Sequence, residues 1–345
     1  TKILLVLTFV ATIFLSAVSL ITYFVTFGGL ASYIEVGYGG DFFLTLQEGT
    51  VIGAGFEWWL LGAALVSFYG IKRHCKPCLV GGIALFVLGA GIVLLTGRRN
   101  QLIYPLLFAI TLFHYGHRRL PPAVVAVGIL VGIIMAQYYA LARFFLPEGF
   151  VYALTRVWTV VARNPHLIAP WSANEFRMPA ASLLEVLYHG EPGLLLGRSY
   201  IASLGAAIPF LARPIEKFSF DVNEWRMSTL YPSIWAAGGG LGFSPVTEAY
   251  MNFGVIGIFF HLFLYGYIIG KIYNLVLTKP SWPALLLLSG SLPVFMLDGM
   301  RIHSASFVWK WVRVYLMPWI IFIVLKALVP KQPRRSHTLS QSASP

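Results

Sequence analysis

The chain has 345 residues, of which 58% are hydrophobic and only 11% charged, and its mean hydropathy is +0.75. This excludes a soluble globular protein and predicts an all-α polytopic membrane protein, with apolar runs too long for the strands of an outer-membrane barrel. The formal charge of +12 would point to nucleic acid in a soluble chain, but in a membrane protein its distribution between loops matters more than its sum, and no nucleic-acid partner is expected.

In chain order, apolar runs near 3–27, 50–71, 79–95, 101–117, 122–138, 253–272, 283–300 and 312–329 predict about eight transmembrane helices. The first is too long and too weakly flanked for a cleaved signal peptide. Because the chain opens at Thr1 inside an apolar run, we expect further spans before it. The membrane domain is expected over 1–330, with one large loop at 139–252 between the fifth and sixth spans. Inside that loop, 151–162 and 180–188 are amphipathic enough to lie on the bilayer surface, and 201–211 is apolar enough to dip back into it. The tail, 331–345, is polar and basic and is expected to be disordered.

With eight spans both chain ends fall on one side. The positive-inside bias assigns to the cytoplasm the side that carries Lys72 to Lys76, His114 to Leu120, Lys271 to Lys279 and the tail. That side holds seven Lys, five Arg and no acid. The opposite side, periplasmic by this assignment, holds eleven Arg, two Lys and all thirteen acids. A topology signal alone would not sort Arg from Lys. Arginine suits bidentate recognition of phosphate or carboxylate, so an arginine-rich outer face reads as a site for acidic ligands, or as a set of local ion pairs with the acids beside it.

Few motifs stand out. There is no P-loop, no HExxH and no Asp-x-Asp, because Asp41, Asp221 and Asp298 are far apart. Cys75 and Cys78 form one CxxC beside His74. In a reducing compartment they are expected as thiols, and His114 and His117 on the neighbouring loop would complete a Cys₂His₂ zinc site if the two loops met. Arg98 and Arg99 end the third span against the positive-inside bias, which reads as ligand binding or as snorkelling to headgroups. Asp298, Arg301 and His303 cluster at the outer end of the seventh span, as a proton-transfer group or as an ion pair with a capping histidine.

The most distinctive stretch is 236–257, AAGGGLGFSPVTEAYMNFGVIG. Its glycines permit positive φ and close approach. Ser244 is a predicted N-cap, Pro245 fits the first helical position, and Glu248 falls in the first turn. A glycine loop feeding a helix start at the bilayer edge suits an anionic group, and the plainer alternative is a tight return of the chain.

The run GGGLGFSPVTEAYMNFGVIG, with GRRNQ after an earlier span and FGGLASYI after the first, resembles the O-antigen polymerase (Wzy-type) family of oligosaccharide repeat-unit polymerases. One departure weakens the transfer of a family arginine role to Arg226: some members place a glycine eleven residues after a loop arginine, and here that position is Ala237. The resemblance implies a bacterial inner-membrane enzyme of GT-C-like helical architecture. It would join oligosaccharide units carried on undecaprenyl pyrophosphate at the periplasmic face, without metal or nucleotide cofactor. It also admits a chain-length regulator as a partner.

Such chemistry needs cations for the departing diphosphate, for which Arg98, Arg99, Arg177, Arg198, Arg213, Arg226 and Arg301 are the candidates. It also needs a base for the acceptor hydroxyl, with Glu248 the first choice and His303 the second. Glu248 has a plainer role open to it, since an acid in a first helical turn gains from the helix dipole alone. Gly238, Gly239, Gly240, Gly242, Ser244 and Asn252 would shape the loop. Trp235 and Tyr250, with Trp171, Trp225 and Tyr231, would stack on sugar faces or serve as interface anchors. An O-antigen ligase shares this donor logic with a different acceptor. A non-catalytic transporter of lipid-linked oligosaccharide would be expected to show paired repeats, and none is visible.

Overall fold

A computed structural model of the protein describes residues 2–29, 54–95, 100–168, 174–190, 193–236 and 240–329. Among them every regular element is a helix. The principal ones are α1 Lys2–Thr26, α2 Gly55–Arg73, α3 Lys76–Leu95, α4 Asn100–Gly116, α5 Pro122–Ala142, α6 Phe150–Arg163, α7 Asn174–His189 and α8 Arg198–Ala207. Short helices α9 Ala212–Glu216, α10 Val222–Leu230 and α11 Pro232–Ala236 follow. The chain then forms α12 Pro245–Thr278, α13 Trp282–Leu297, α14 Ser304–Val308 and α15 Met317–Leu328, with a π-helical stretch Trp309–Tyr315 between the last two.

The described part of each of the eight predicted apolar runs is mainly helical, but among the described residues four helices are long and apolar enough to cross a bilayer: Ile3–Thr26, Lys76–Leu95, Pro122–Ala142 and Pro245–Thr278. A fifth is added if Ser304–Tyr315 and Met317–Leu328, bent by 53°, count as one span. The expected eight are therefore not reached by length and composition. α2 carries Glu57, Lys72 and Arg73, while α4 and α13 have only 17 and 16 residues. The reason is location. α2 is the central helix, and its Trp58, Leu61, Leu65 and Phe68 pack on Tyr104 and Phe108 of α4, Leu285 and Val294 of α13, and Phe307 and Phe322 of the bent pair. A helix wrapped in protein need not be apolar on every face. α3 and α5, by contrast, leave Val80, Val87, Val124, Val127 and Val131 exposed, as a lipid-facing helix would.

α1 meets α2 through a polar stripe. Thr8, Thr12, Ser16 and Ser19 recur at helical spacing and are all buried. Thr8 and Thr12 bond back to Leu4 O and Thr8 O at 2.7 Å, and Ser16 Oγ donates to Gly55 O at 2.7 Å. Small hydroxyls of this kind let helices approach closely in an apolar medium.

The CxxC is not a thiol pair. Cys75 and Cys78 form a disulfide across the α2–α3 turn. His114 takes the Leu120 N–H at 3.1 Å and meets Arg119 at 3.4 Å. The Cys₂His₂ arrangement does not assemble, because the two sulfurs spend their bonding capacity on each other. The tail, 331–345, lies outside the described residues.

The large loop is helical through most of its described length. The amphipathic stretches form α6 and α7, and the third apolar stretch becomes α8 and a 3₁₀ turn at Pro209–Leu211.

Candidate active site

The chain enters the site through Gly240–Gly242 and starts α12 as the sequence predicts. Ser244 Oγ accepts the Val246 N–H at 3.2 Å, with Pro245 at the first helical position. Gly242 lies against the Arg301 backbone. A Cβ there would stand 2.8 Å from Pro179 Cγ and 3.1 Å from Arg301 O, so a side chain would push the run off this contact. Gly238 and Gly239 lie outside the described residues. The first segment of α12 ends at Asn252, where Phe253 (φ −140°, ψ 17°) and Gly254 (φ 64°, ψ −152°) break the helix before the membrane span continues. The Asn-Phe-Gly sequence is thus a hinge between a short polar helix and a long apolar one.

Glu248 sits in that short helix and is fully buried. Its two oxygens accept from Ser304, Oε2 from the backbone N–H and Oε1 from the hydroxyl, each at 2.6 Å. Ser203 Oγ on α8 meets Ser304 Oγ at 2.8 Å. The carboxylate therefore joins α12, α8 and the start of α14. His303, the residue before Ser304, is also buried, and its Nε2 lies 3.2 Å from Ser306 Oγ. Through Ser304, Glu248 is thus tied to the segment that carries His303, with Arg301 two residues further upstream in sequence. Burial, and then the Glu248 charge, raise the Tyr200 hydroxyl above its ordinary range.

Asn252 is a structural tie. Its Nδ2 donates to Ser199 Oγ and to Glu248 O, both at 2.7 Å, while its Oδ1 accepts the Gly197 N–H at 2.9 Å. It holds the start of α8 against the end of the short helix.

Among the described residues Arg226 is the most completely enclosed cation. Its guanidinium is buried and forks onto Glu185, Nε to Oε2 at 2.7 Å and Nη2 to Oε1 at 2.9 Å, and its Nη1 donates to Gly242 O at 2.6 Å. Tyr231 donates to Glu185 Oε1 at 2.8 Å. Burial raises the Glu185 carboxyl, but the bonds from Arg226 and Tyr231 and the arginine charge outweigh it and leave Glu185 below its usual value. Arg226 thereby pins the glycine run, which in turn touches Arg301.

The other predicted residues are spread more widely. Arg198 is exposed and lies 5.9 Å from the Phe220 ring centre, and Arg213 is exposed on α9. Trp235 and Tyr250 are half-buried, Tyr250 packing beside Phe243 and Met251. Arg98, Arg99 and Trp171 lie outside the described residues. Arg177 is placed on α7, and its side chain is outside them too.

Three participants were not singled out from the sequence. Glu185 gave no local signal, being 41 residues from its arginine. Ser304 was overshadowed by its neighbour His303. Lys310 stands with Asp298: Nζ is 2.8 Å from Oδ2, close enough for strong attraction though not aligned as a hydrogen bond, and Nζ also lies 4.8 Å from the Tyr104 ring centre. This pair fastens the loop bearing Arg301 and His303 onto the π-helical stretch. π-Helical turns often mark functional sites.

Residues 196–333 match the family model described as O-antigen polysaccharide polymerase Wzy. That segment of the chain is similar to the Wzy-type O-antigen polymerases. The matched Wzy segment contains Glu248, Arg301, His303, Ser304 and Arg226, whereas Glu185 and α1–α7 precede it. No curated protein and no solved structure matches the chain. This similarity to a family of polysaccharide polymerases fits a helical membrane protein.

Proposed function

We propose that this protein is a polymerase of the Wzy type that joins lipid-pyrophosphate-linked oligosaccharide repeat units, and that the reaction takes place where α12, α8 and the loop 298–304 meet. The carrying observation is that Glu248 is bonded to Ser304 in the segment that also bears Arg301 and His303, and that this segment lies against the glycine run that Arg226 holds. The hydroxyl oxygen of one unit attacks the anomeric carbon of the growing glycan. The carbon–oxygen bond to the diphosphate breaks, and its electron pair leaves with the lipid pyrophosphate. Arg301 stabilises that departing charge, with Arg98, Arg99, Arg177, Arg198 and Arg213 as further cations of the same end. The acceptor proton passes to the Glu248–His303 pair.

Glu248 is fully enclosed and satisfied, so it acts as base only if Ser304 releases it on substrate binding. If it stays engaged, it positions Ser304 and His303, and His303 takes the proton. Arg226 is a positioning residue in this reading, since its donors are engaged with Glu185 and Gly242. Residues Trp235, Tyr250 and the glycine run flank the path of the glycan.

The finer topology belongs to the same proposal: α2, α4 and α13 cross the bilayer inside the bundle to give eight crossings, in a GT-C-like arrangement. The arginine end then faces the periplasm of an inner membrane, and a chain-length regulator and the bilayer are partners. Metal and nucleotide cofactors are not invoked. The test is reconstitution of the purified protein in proteoliposomes with an undecaprenyl-pyrophosphate-linked oligosaccharide. A ladder of lengthened lipid-linked glycan is the expected product. Transfer to lipid A-core alone would indicate a ligase, and translocation without a new glycosidic bond a transporter.

A further inference from the structure

Two cavities among the described residues lie at the end of the bundle opposite Glu248. One, of about 390 Å³, is bounded by the start of α1, the end of α2, the end of α4 and the α12–α13 turn. Lys72 and Arg73 stand on its rim, Tyr115 and Trp282 flank it, and Leu5 and Leu285 form its apolar floor. A second, slender cavity of about 120 Å³ shares Leu5 and Tyr69 with the first. It continues along the α1–α2 groove past Val6, Phe9, Leu65 and Val66, and its lining is almost wholly apolar. A chamber with cations in its lining thus adjoins an apolar slot, with Leu5 and Tyr69 in the wall of both.

We propose that this compound cavity is a binding site for an anionic phospholipid, with the phosphate at Lys72 and Arg73 and an acyl chain in the slot. The chemistry of each part matches one part of such a lipid. Both cations are exposed, and no Asp or Glu occurs anywhere in the loops of this end, so no internal carboxylate competes for them. Tyr115 and Trp282 are amphipathic rings of the kind that settle at headgroup depth. The slot runs inward along α1, where an acyl chain would extend from a headgroup at the helix end. The chain's own tail is a poor occupant: it brings Lys331, Arg334 and Arg335 and no acid to a rim that is already positive. The site is separate from the proposed reaction centre and does not depend on it.

Native mass spectrometry of the delipidated protein titrated with phosphatidylglycerol, phosphatidylcholine or inorganic phosphate tests this. Phosphatidylglycerol should bind in preference to phosphatidylcholine, and inorganic phosphate should not displace it. Lys72→Ala with Arg73→Ala should weaken phosphatidylglycerol binding about thirtyfold. The control pair Lys76→Ala with Lys271→Ala removes the same charge from the same end outside the cavity, and should leave binding nearly unchanged. Val66→Trp fills the slot and should weaken the long-chain lipid while sparing a six-carbon analogue. Equal retention of both lipids, displacement by phosphate, an equal loss in the control pair, or an unaffected Val66→Trp protein would each overturn the proposal.

Discussion

The two ends of this bundle carry nearly equal numbers of cations, yet they hold them in opposite ways. At one end Lys72, Arg73 and Lys76 stand exposed with no acid in the surrounding loops. At the other, cations are drawn inside and answered: Arg226 by Glu185, Lys310 by Asp298, with Glu248 buried among hydroxyl and backbone donors. An exposed cation changes local potential and little else. A buried ion pair fixes geometry, because removing one partner strands the other in a medium of low polarity. The first arrangement suits attraction of a lipid surface, and the second suits a site whose loops must hold their positions during a reaction.

The sharpest way to break this contrast is to strand a buried charge. Glu185→Ala should lower stability by about 3–5 kcal/mol, since Arg226 stays enclosed without its carboxylate. A thermal scan in detergent with a shift close to that of a surface variant would show that the pair is solvated after all. Ser304→Ala comes next. It removes one of the two donors to Glu248, at a cost of about 1–3 kcal/mol, and polymer formation should fall with it. Unchanged stability and activity would mean that the backbone N–H alone holds the carboxylate.

Acid supplies a gentler probe. Because folding depresses Glu185, its contribution to stability is present above the ordinary carboxylate value, about 4.3, and is lost as pH falls through the lower, folded value. The unfolding temperature should therefore drop in that window, and Glu185→Gln should flatten this part of the curve. An identical acid slope in the variant would assign the effect to other carboxylates. Smallest of all, Lys76→Ala at the exposed end should alter stability by no more than about 0.5 kcal/mol. A larger loss would mean that this end carries structural charge too.

Much of the frame was legible because lipid imposes a simple rule on sequence. Long apolar runs became α1, α3, α5 and α12, and Ser244 with Pro245 marked a helix start. The count of crossings was harder, since α2 is shielded by other helices and carries charge that a lipid-facing helix would not. The break at Phe253–Gly254 lies within what reads as the onset of a continuous span. Glu248, Arg301 and His303 were singled out as residue types suited to the chemistry, but the Glu248–Ser304 bond that ties Glu248 to the segment of the other two joins residues 56 positions apart. The Arg226–Glu185 fork is equally non-local. Of the predicted arginines, Arg198 and Arg213 kept to the surface, where neither spacing nor charge distinguishes a ligand contact from a solvated side chain.

The most direct test of the account is the Glu248→Gln protein in the proteoliposome assay, read for both product ladder and binding of the lipid-linked donor. Glutamine preserves the shape of the contact with Ser304 and removes the charge. We predict a folded protein that binds donor and forms no ladder. A ladder of normal length and rate would contradict the assignment of this site.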